Sequence, residues 1–413
     1  MLVIGPDELF EKMMKNHFDV AVVGAGPIGN TSALLLTELG LSVALIGPDI
    51  SAAETRTTAL LNGTVQLFKT IGAWPEMAKV GQPLASMRLV DDTGRLLRAP
   101  TVTFKADEID LPYFGMNVPV SKVNAALATR VAESDGIARF PHLVSDIDLN
   151  GDAAALKLQN DETVFASFVV AADGRESPCR KAAGIDVRVT DLPQSAIATS
   201  FSHSLPHNDI STEFHKKEGP FTVVPMPGEK SALVWMVRPE RADKVLSLGE
   251  DALIETLEEN SHGILGKISD VTRIRAYPLR HQTAHRFAGD RVALVGEAAH
   301  VMPPIGAQGL NLGLRDVAAL RDALEDAQIA RGALDRDQIN AALDAYHAAR
   351  RVDIRSRMAA VGVLNSSLLS GFIGAQAARS IGLHAAKAIA PLRRILMREG
   401  MQPSYATPRL MRA

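Results

Sequence analysis

Three glycines near the start of the chain have the spacing of a phosphate-binding turn. Gly24, Gly26 and Gly29 follow the apolar residues 20–23 and precede a run of small residues and a second apolar stretch, residues 41–46. The first glycine permits a tight strand-to-helix turn, the second lets backbone approach a pyrophosphate, and the third lets the helix pack on the strand. The helix N-terminus then offers free N–H groups to the phosphates. The pattern predicts a βαβ unit that binds a dinucleotide; an ordinary glycine turn in a parallel sheet is the alternative.

Two charged residues close to this turn have roles that the sequence leaves open. The position that closes the second strand, where an acid usually binds the ribose hydroxyls, is Gly47. Asp49 can take over that role, or it can be a solvated loop acid. Arg56 can hold a phosphate through two hydrogen bonds, or it can be a surface cation. Residue type alone favours the surface position for Arg56.

A second stretch, residues 291–316, has a comparable arrangement. An apolar strand leads to Gly296 and Glu297, and a loop rich in glycine and proline, residues 303–309, precedes a helix expected from about Leu310. Glycines in such a loop expose N–H groups, and a helix N-terminus favours an anionic or polarised ligand group. Glu297 can accept hydrogen bonds from ribose or ribitol hydroxyls. A tight structural loop is the alternative.

Composition narrows the class of protein. The chain has 413 residues, enough for two or three domains, and its formal net charge of −3 gives no reason to expect nucleic acid. Its one cysteine, Cys179, excludes a disulfide framework and a CxxC redox pair, and a reducing, cytoplasmic setting fits. The histidines show no metal-binding spacing. Residues 1–17 lack a long apolar run, so we expect a short helical extension rather than a secretory signal.

The rest of the chain alternates between β and α patterns. Helices are expected over residues 120–132 and 251–260, and the apolar spacing from Leu60 to Ile71 also favours a helix. Asn150 and Gly151 predict a hairpin turn. Strands are expected within residues 84–104, 140–172, 196–237 and 271–279.

The C-terminal region is basic and apolar. Residues 358–378 carry no charge, and residues 354–398 contain seven Lys or Arg and no acid. Polar residues within the uncharged run make it too polar for a transmembrane helix. We expect a helical tail that either packs on its own domain or contacts a membrane surface or a protein partner.

Three separated motifs, taken together and in this order, resemble those of the FAD-dependent aromatic hydroxylases with the para-hydroxybenzoate hydroxylase fold. They are GAGPIG at 24–29, AADG at 171–174 and LVGEAAHVMPPIGAQGLNLGLRD at 294–316. Within that group the chain is similar to the ubiquinone-biosynthesis branch, the polyprenylphenol hydroxylases. The branch features are Arg56 in RTTAL, GPFTVVPMP at 219–227, GAQGLNLGLRD at 306–316, and Tyr346, Arg350 and Asp353 in the spacing YxxxRxxD. The resemblance extends from about Phe18 to Leu369.

The resemblance implies an α/β fold. A Rossmann-like FAD-binding domain with the GxGxxG turn is expected together with an interleaved, mixed β-sheet substrate domain and a helical C-terminal tail. The expected FAD-binding domain comprises residues 18–84, 118–190 and 275–335. The expected substrate domain comprises residues 85–117 and 191–274. Residues 1–17 and 336–413 are then the N-terminal extension and the C-terminal helical region.

The resemblance also implies which residues hold FAD. The loop from Pro304 to Asn311 is expected against the flavin ring, with Pro304 and Gly306 nearest the chemistry. The expected FAD-binding residues are Gly24, Gly26, Gly29, Asp49, Arg56, Asn124, Asp173, Gly296, Glu297, Gly306, Gln308, Gly309 and Asn311. Three positions depart from the family: Gly47 replaces a glutamate, Glu297 replaces an aspartate, and Asn124 replaces an FAD-facing arginine. His300, after the third motif, is a candidate for a direct catalytic role or for an ordinary loop histidine.

The implied activity is a monooxygenase cycle. NAD(P)H reduces FAD, O2 forms a flavin C4a-hydroperoxide, and its distal oxygen passes to an electron-rich ring. The expected substrate is a polyprenylated phenol or quinone precursor in ubiquinone biosynthesis, handled in the cytoplasm at the periphery of the inner membrane. The alternatives are a hydroxylase of a small soluble aromatic acid and a non-catalytic assembly partner in the same pathway. Candidate substrate contacts, about half of which alternation places on the inner face, are Phe221, Val223, Met226, Trp235 and Met236.

Overall fold

The computed structural model shows a mixed α/β protein whose described part contains three β-sheets. It describes residues 16–50, 54–94, 98–329, 334–369, 381–382, 384–385, 387–401 and 407–412. Residues 1–15 of the expected N-terminal helix and residues 370–378 of the uncharged run therefore lie outside the described residues. The last residue of that expected helix, His17, begins the first strand instead.

The regular elements alternate between strands and helices over most of the chain. In chain order the strands are β1 (His17–Val23), β2 (Val43–Ile46), β3 (Thr57–Leu61), β4 (Gln82–Pro83), β5 (Ser86–Asp91), β6 (Val102–Lys105), β7 (Gly115–Pro119), β8 (Ile137–Phe140), β9 (Val144–Asp148), β10 (Ala154–Leu158), β11 (Thr163–Ala171), β12 (Val187–His203), β13 (Ile210–Lys216), β14 (Gly219–Met226), β15 (Lys230–Val237), β16 (Ile268–Ser269), β17 (Arg275–Ala284), β18 (Ala288–Gly289), β19 (Val292–Leu294) and β20 (His300–Val301). The helices are α1 (Pro27–Glu38), α2 (Asn62–Thr70), α3 (Trp74–Ala78), α4 (Val120–Ala132), α5 (Pro178–Ala182), α6 (Pro239–Leu246), α7 (Glu250–Asn260), α8 (Gln308–Asp326), α9 (Arg336–Leu369) and α10 (Ala390–Met401).

The first sheet has a parallel centre with the order β19–β11–β1–β2–β8. Its central strands β1 and β2 are almost wholly apolar and buried, as expected for parallel strands covered on both faces. Parallel strands all end at the same edge of their sheet. The loops after β1, β2, β11 and β19 therefore meet at one edge.

The second sheet is mixed and runs β20–β17–β12–β15–β14–β13–β5–β6. One face carries Phe221 and Trp235 and packs against α6 and α7 through Val245, Leu253 and Leu257. The opposite face carries Met236, which packs with Ile305, Val361 and Leu279. The third sheet, β3–β7–β4, is small. In the chain its strands lie between β2 and β8 of the first sheet and on either side of β5 and β6 of the second.

The C-terminal helices α9 and α10 pack against parts of both large sheets. The first half of α9 enters the main core through Ile339, Leu343 and Tyr346, whereas Val361 near its end lies on the second sheet. Met397 of α10 is buried in a cluster with Ala106, Ile109 and Phe114, against which Phe104 of β6 packs. The tail therefore packs on its parent domains over part of its surface.

Most predicted elements are confirmed, with small shifts at their ends. The helix at 120–132 and the hairpin at Asn150 are present, the latter between β9 and β10. Leu60 and Leu61 were wrongly predicted as helical: they end β3, and α2 begins at Asn62, because pairing of β3 with β7 overrides the apolar spacing. The helix expected from Leu310 begins at Gln308.

The domain boundaries remain a proposal. They assign residues 275–335 to the FAD-binding part, but β17 pairs along its length with β12 in the second sheet. We propose to place the last crossing between the two parts after Ala284, where β17 ends.

Candidate functional site

The edge where the parallel strands end brings the predicted motifs together. Gly24 follows β1, Gly47 follows β2, Asp173 follows β11 by two residues, and Gly296 follows β19 by two residues. This edge, outside the carboxyl ends of the strands, is where open α/β sheets bind ligands. Residues that lie more than 100 positions apart in the chain therefore face one region.

The three glycines differ in how tightly the protein surrounds them. A methyl group on Gly24 (φ +108°) would overlap the carbonyl oxygen of Ala172, and one on Gly29 would overlap the carbonyl oxygen of Gly24. A methyl group on Gly26 would meet only the end of the Ile50 side chain, at 3.4 Å. The first and third glycines are thus required by packing, whereas the second leaves backbone open to a ligand. We call residues 24–29 the glycine turn.

The N-terminus of the helix that follows, α1, is suited to bind an anion. No described side chain caps the N-terminus of α1, and its first turn contains no acid. Its first N–H groups therefore lack side-chain partners and carry the positive end of the helix dipole. This is the arrangement that binds a pyrophosphate.

Beside the end of β2 lies a residue that sequence reasoning missed. Arg139 on the neighbouring β8 donates to the carbonyl oxygens of Leu45 (2.8 Å) and Gly47 (3.0 Å) and to the carboxylate of Asp49 (2.7 Å). Asp49 is exposed. Its ribose-binding role stays a prediction, and any ribose hydroxyl there would share the carboxylate with Arg139. Only the pairing of β2 with β8 reveals this arginine.

Arg56 is also held by residues that the sequence did not single out. Its guanidinium donates to Glu54 at 2.7 and 3.0 Å and lies 5.7 Å from the ring centroid of Tyr277. These hydrogen bonds lower the pKa of Glu54 below its ordinary value. Arg56 is half exposed, so it remains accessible to a ligand while Glu54 neutralises part of its charge.

Two predicted residues have buried oxygens or nitrogens without a partner. Asp173 accepts a hydrogen bond from the Cys179 N–H through Oδ2 (3.0 Å), but its Oδ1 has no described partner. Asn124 in α4 is 8% exposed, and neither its Oδ1 nor its Nδ2 has one. Buried polar groups are normally paired, so each is expected to meet a ligand or water.

Glu297 lies at the same edge but is solvent-exposed. It follows Gly296 (φ +60°), and its carboxylate lies 3.4 Å from Nε of Arg175, which follows the DG motif. A methyl group on Gly313 would come within 2.9 Å of Gly296 Cα and 2.8 Å of the Ile28 side chain. Glycine at position 313 therefore lets α8 approach α1 closely beside this motif.

The loop before α8 turns through two left-handed residues. Gly306 has φ +63° and Ala307 has φ +54°, and the N-terminus of α8 then has no described side-chain cap and no acid in its first turn. A left-handed alanine costs about 1 kcal/mol and indicates a conformation imposed by its surroundings. Pro304 and Gly306 are exposed, whereas Ile305 between them is buried.

Asn311 explains what imposes that conformation. Its Oδ1 accepts from the Leu61 N–H (2.9 Å) and the Thr64 hydroxyl (2.7 Å). Its Nδ2 donates to the carbonyl oxygens of Ala59 (2.8 Å) and Ala307 (2.7 Å). The amide is fully occupied by described protein groups. We interpret Asn311 as an anchor of the loop, so any contact with a cofactor would come from its backbone.

Behind the loop lies a buried set of charges, which we call the charged network: His300, Arg315, Asp316, Arg350, Asp353 and Arg357. Asp316 accepts from His300 Nε2 (2.7 Å), from the Gly296 N–H (3.0 Å) and from Arg350 Nε (2.8 Å). Asp353 pairs with Arg350, with Arg357 (2.9 Å) and with Arg315 (3.2 Å). The YxxxRxxD spacing thus places one helical face of α9 against α8.

The network has a defined electrostatic balance. Burial by itself raises the pKa of Asp316, but His300 and Arg350 outweigh it and hold that pKa below its ordinary value. The same competition, with the arginines prevailing, lowers the pKa of Asp353. Burial also lowers the pKa of Arg315 to about 10. Both carboxylates are therefore ionised at neutral pH, where they hold the loop in place.

Two links join the network to the ligand-facing elements. Arg357 donates to Oε1 of Gln308, the first residue of α8, at 2.8 Å. The Tyr346 hydroxyl donates to the carbonyl oxygen of Leu294 at the end of β19 (2.6 Å). His300 is 2% exposed and bonded to Asp316. We interpret it as a positioning residue, and a direct catalytic role for it stays untested.

The candidate substrate contacts divide between the two faces of the second sheet. Phe221, Val223 and Trp235 lie in the core against α6 and α7, away from the loop. Met236 lies on the opposite face in contact with Ile305 of the loop. The prediction that Phe221, Val223 and Trp235 contact the substrate is therefore wrong. Strand alternation turns their side chains away from the loop, and the sequence alone does not say which face of the sheet is inward.

Comparisons with known proteins agree with this geometry. Residues 17–359 match a family described as an FAD binding domain. The chain is 33% identical to the ubiquinone hydroxylase UbiL of Rhodospirillum rubrum over 404 residues, 95% of this chain and 92% of that protein. It is 27% identical to the 3-demethoxyubiquinol 3-hydroxylase of Escherichia coli over 76% of this chain and 82% of that protein.

Solved structures show the same fold. The p-nitrophenol 4-monooxygenase PnpA from Pseudomonas putida DLL-E4 superposes with a TM-score of 0.76 at 20% identity, covering 93% of this chain and 98% of that one. PqsL from Pseudomonas aeruginosa gives a TM-score of 0.73 at 22% identity, covering 89% and 100%. The α/β fold class expected from the sequence is confirmed.

Proposed function

Because the chain belongs to the FAD-binding family of aromatic-ring monooxygenases, we propose that it hydroxylates a polyprenylated phenol or quinone precursor in ubiquinone biosynthesis, with NAD(P)H as reductant and O2 as oxidant. The observation that carries the proposal is that two helices with uncapped N-termini, α1 and α8, pack together beside Gly296 at the strand edge, through Ile28 and Gly313. The loop that leads into α8 adds Ile305 to an apolar wall. One N-terminus suits a pyrophosphate and the other a polarised ring.

The residues present fit FAD. Gly26 leaves its backbone open, and the unpaired atoms of Asn124 and Asp173 offer hydrogen bonds that no described protein group takes up. Gly24, Gly26 and Gly29 would hold the pyrophosphate, with Arg56 and Asn124 as further contacts. Asp49 and Glu297 would accept ribose or ribitol hydroxyls. The N–H groups of Gln308 and Gly309 would face the ring. When bound, FAD supplies the electron transfer and oxygen activation that side chains cannot perform.

The protein's own contribution is position and exclusion of water. Asn311 fixes the loop to β3 and α2, and Arg357 fixes the first residue of α8. Ile305, Met236 and Val361 form an apolar wall against which an aromatic ring can be held away from solvent. Productive oxygen transfer requires such exclusion, because access of solvent would let the oxygen escape as hydrogen peroxide instead of passing to the substrate.

The apolar wall also bears on the substrate. Its described members, Met236, Leu279, Ile305 and Val361, offer an apolar surface to a lipophilic ring. Two of the relatives that cover most of this chain are named a ubiquinone hydroxylase and a 3-demethoxyubiquinol 3-hydroxylase. Both observations favour a polyprenylated ring over a small soluble acid, which is the second candidate.

A lipophilic substrate agrees with the form of the tail. Ile389 lies immediately before α10, and Leu392 and Leu396 follow on the helix at positions 3 and 7 residues further along; Ile389 and Leu396 are half exposed. The cations Arg394 and Arg398 lie on other faces. Among the described residues, no helix has the length and apolar character needed to cross a bilayer. We propose that α10 lies on an anionic membrane surface, at the periphery of the inner membrane.

Charge supports that contact. Residues 354–398 carry seven positive and no negative charges in a chain of net charge −3, so the remainder carries −10. Three of the seven pair with acids outside this segment: Arg357 with Asp353, Arg393 with Glu108 and Arg398 with Asp110. Sedimentation with anionic vesicles should be weakened by Ile389→Glu together with Leu396→Glu. Leu143→Glu, at an exposed leucine elsewhere, is the matched control. Equal sedimentation of all three proteins would exclude α10 as the contact.

The activity is tested by the absorbance spectrum of the purified protein. We expect oxidised-flavin bands that bleach anaerobically with NADH or NADPH, and a hydroxylated product from 2-prenylphenol once air is admitted. A colourless protein that does not take up added FAD would overturn the catalytic proposal and favour the non-catalytic assembly partner. A yellow protein that hydroxylates only aromatic acids would favour the second candidate.

A further inference from the structure

Helix α9 continues from the charged network onto the second sheet. Arg357 holds Gln308, and one turn later Val361 packs on Ile305 and Met236. A further turn on, Asn365 is 3% exposed. Positions 361 and 365 lie on the same face of a helix. Asn365 therefore points toward the same side as the apolar wall.

A second amide side chain meets Asn365 there. Gln194 of β12 is 1% exposed and lies against the sheet, since a methyl group on Gly219 would come within 2.7 Å of its Nε2 and 2.8 Å of Met236 Cβ. Asn365 Nδ2 donates to Gln194 Oε1 at 2.9 Å. The amide pair therefore borders Met236, the residue that contacts the loop.

The orientation of both amides follows from one backbone carbonyl. Gln194 Nε2 lies 2.6 Å from the carbonyl oxygen of Glu218, which can only accept. Gln194 must therefore present its NH2 group to that carbonyl and its oxygen to Asn365, which in turn must present its own NH2 group. This leaves Asn365 Oδ1 as the free end of the chain of hydrogen bonds. It is buried and has no described partner.

We propose that Asn365 Oδ1 is the acceptor for the ring hydroxyl of the substrate. The subsite pairs an apolar wall (Met236, Ile305 and Val361) with one fixed acceptor, and its ligand class is a phenol or quinol whose O–H donates. The proposal rests on the proposed function, because it names how the substrate of that same site is recognised. A ring with a methoxy group at that position leaves the acceptor unpaired and adds bulk beside it.

The test compares two probes that differ in the donor alone. Binding of 2-prenylphenol and of its O-methyl ether to the FAD-loaded protein is measured by calorimetry. In the wild-type chain the phenol should bind about tenfold more tightly, the ratio expected for one hydrogen bond to a buried acceptor. Asn365→Leu, which keeps the size and removes the acceptor, should bring the ratio close to one.

Val361→Ala is the matched control on the same helix face. It shortens the apolar wall and should weaken both probes by a similar factor while the ratio of their affinities stays about tenfold. If the substitutions acted by disturbing α9 as a whole, the ratio of the phenol affinity to the ether affinity would fall in both variants.

Different outcomes separate this inference from the function on which it rests. If wild-type protein binds and hydroxylates the phenol but shows no preference over the ether, the function stands and the Asn365 subsite is overturned; this comparison requires no variant to fold. A tenfold preference that persists in Asn365→Leu overturns the subsite as well. If neither probe binds, the polyprenylphenol class is wrong and the subsite falls with it.

Discussion

The glycine turn and the charged network both serve the same edge of the first sheet, but they are built from opposite materials. The turn depends on backbone: Gly24 and Gly29 lack side chains because carbonyl oxygens of Ala172 and Gly24 occupy the space where a Cβ would stand. The network consists of charged side chains from β20, α8 and α9, which lie up to 57 positions apart in the chain. One depends on space and the other on charge balance.

The difference predicts how each region fails. A region built from backbone should tolerate no added atoms, whatever their polarity, and should respond little to pH. In a region of paired buried charges, a substitution should be costly mainly where it leaves one charge without its partner. The network should also respond to acid, since its carboxylates must stay ionised.

The largest effect is expected from Gly29→Ala. The new methyl group overlaps the carbonyl oxygen of Gly24, so the turn must open, at a cost of more than about 5 kcal/mol in the free energy of unfolding. Urea denaturation of the FAD-free protein measures this. Gly26→Ala is the control, since its methyl group has room. It should leave that stability within about 0.5 kcal/mol and reduce FAD affinity. Equal stability losses in both variants would contradict the division of roles.

Asp353→Asn should follow in size. It removes one negative charge from among Arg315, Arg350 and Arg357, and breaking a buried ion pair from one side typically costs about 3–5 kcal/mol. Asp344→Asn on the same helix is the control, because Asp344 is largely exposed and pairs with Arg286 at the surface. There we expect a change below about 1 kcal/mol. Similar values for the two variants would show that the network is not a buried charge cluster.

The third prediction concerns acid. The folded-state pKa values of Asp316 and Asp353 lie below their ordinary values, so their contribution to stability is full above the unfolded-state pKa of about 4 and is lost as pH falls through the depressed values. The stability gap between wild type and Asp353→Asn should therefore be constant near neutrality and shrink below about pH 4. A gap that widens in acid would reverse the assigned sign. Gly29→Ala should show no such trend.

The smallest effect is expected from Glu297→Asp, which introduces the residue that the resemblance to the aromatic hydroxylases leads us to expect at that position. Glu297 is half exposed and its contact with Arg175 is long, so stability should change by less than about 0.5 kcal/mol. FAD affinity, measured by fluorescence quenching, should change by less than about threefold if the carboxylate meets a solvated hydroxyl. A tenfold gain would show that the departure from the family weakens FAD binding.

Much of the glycine turn and of the first sheet around it could be predicted from sequence, because the signals for these elements are local. The glycine spacing, the apolar strands β1 and β2, and the helix at 120–132 each lie within a short stretch of chain. The motif order also identified the FAD-binding family, which the comparison over residues 17–359 confirms. Those inferences required no knowledge of which strands are neighbours.

The errors and omissions occurred where tertiary neighbours decide. Leu60 has helical apolar spacing, yet pairing with β7 makes it part of a strand. Trp235 alternates correctly with Met236, but only α6 and α7 determine which of the two faces is covered. Arg139 is an unremarkable residue in a short strand, and β8 must pair with β2 before it reaches Asp49.

The sequence by itself determined which positions must be glycine and in what order the ligand-facing motifs follow one another. Both depend on near neighbours in the chain, because these set the backbone conformation and the starts of helices. The tertiary structure decided which charges are buried together and which polar atoms remain unpaired. Asp316 with Arg350 and Asn365 with Gln194 are joined by long-range packing. The energy of a charge or an amide depends on what surrounds it in space, and the chain alone does not specify those surroundings.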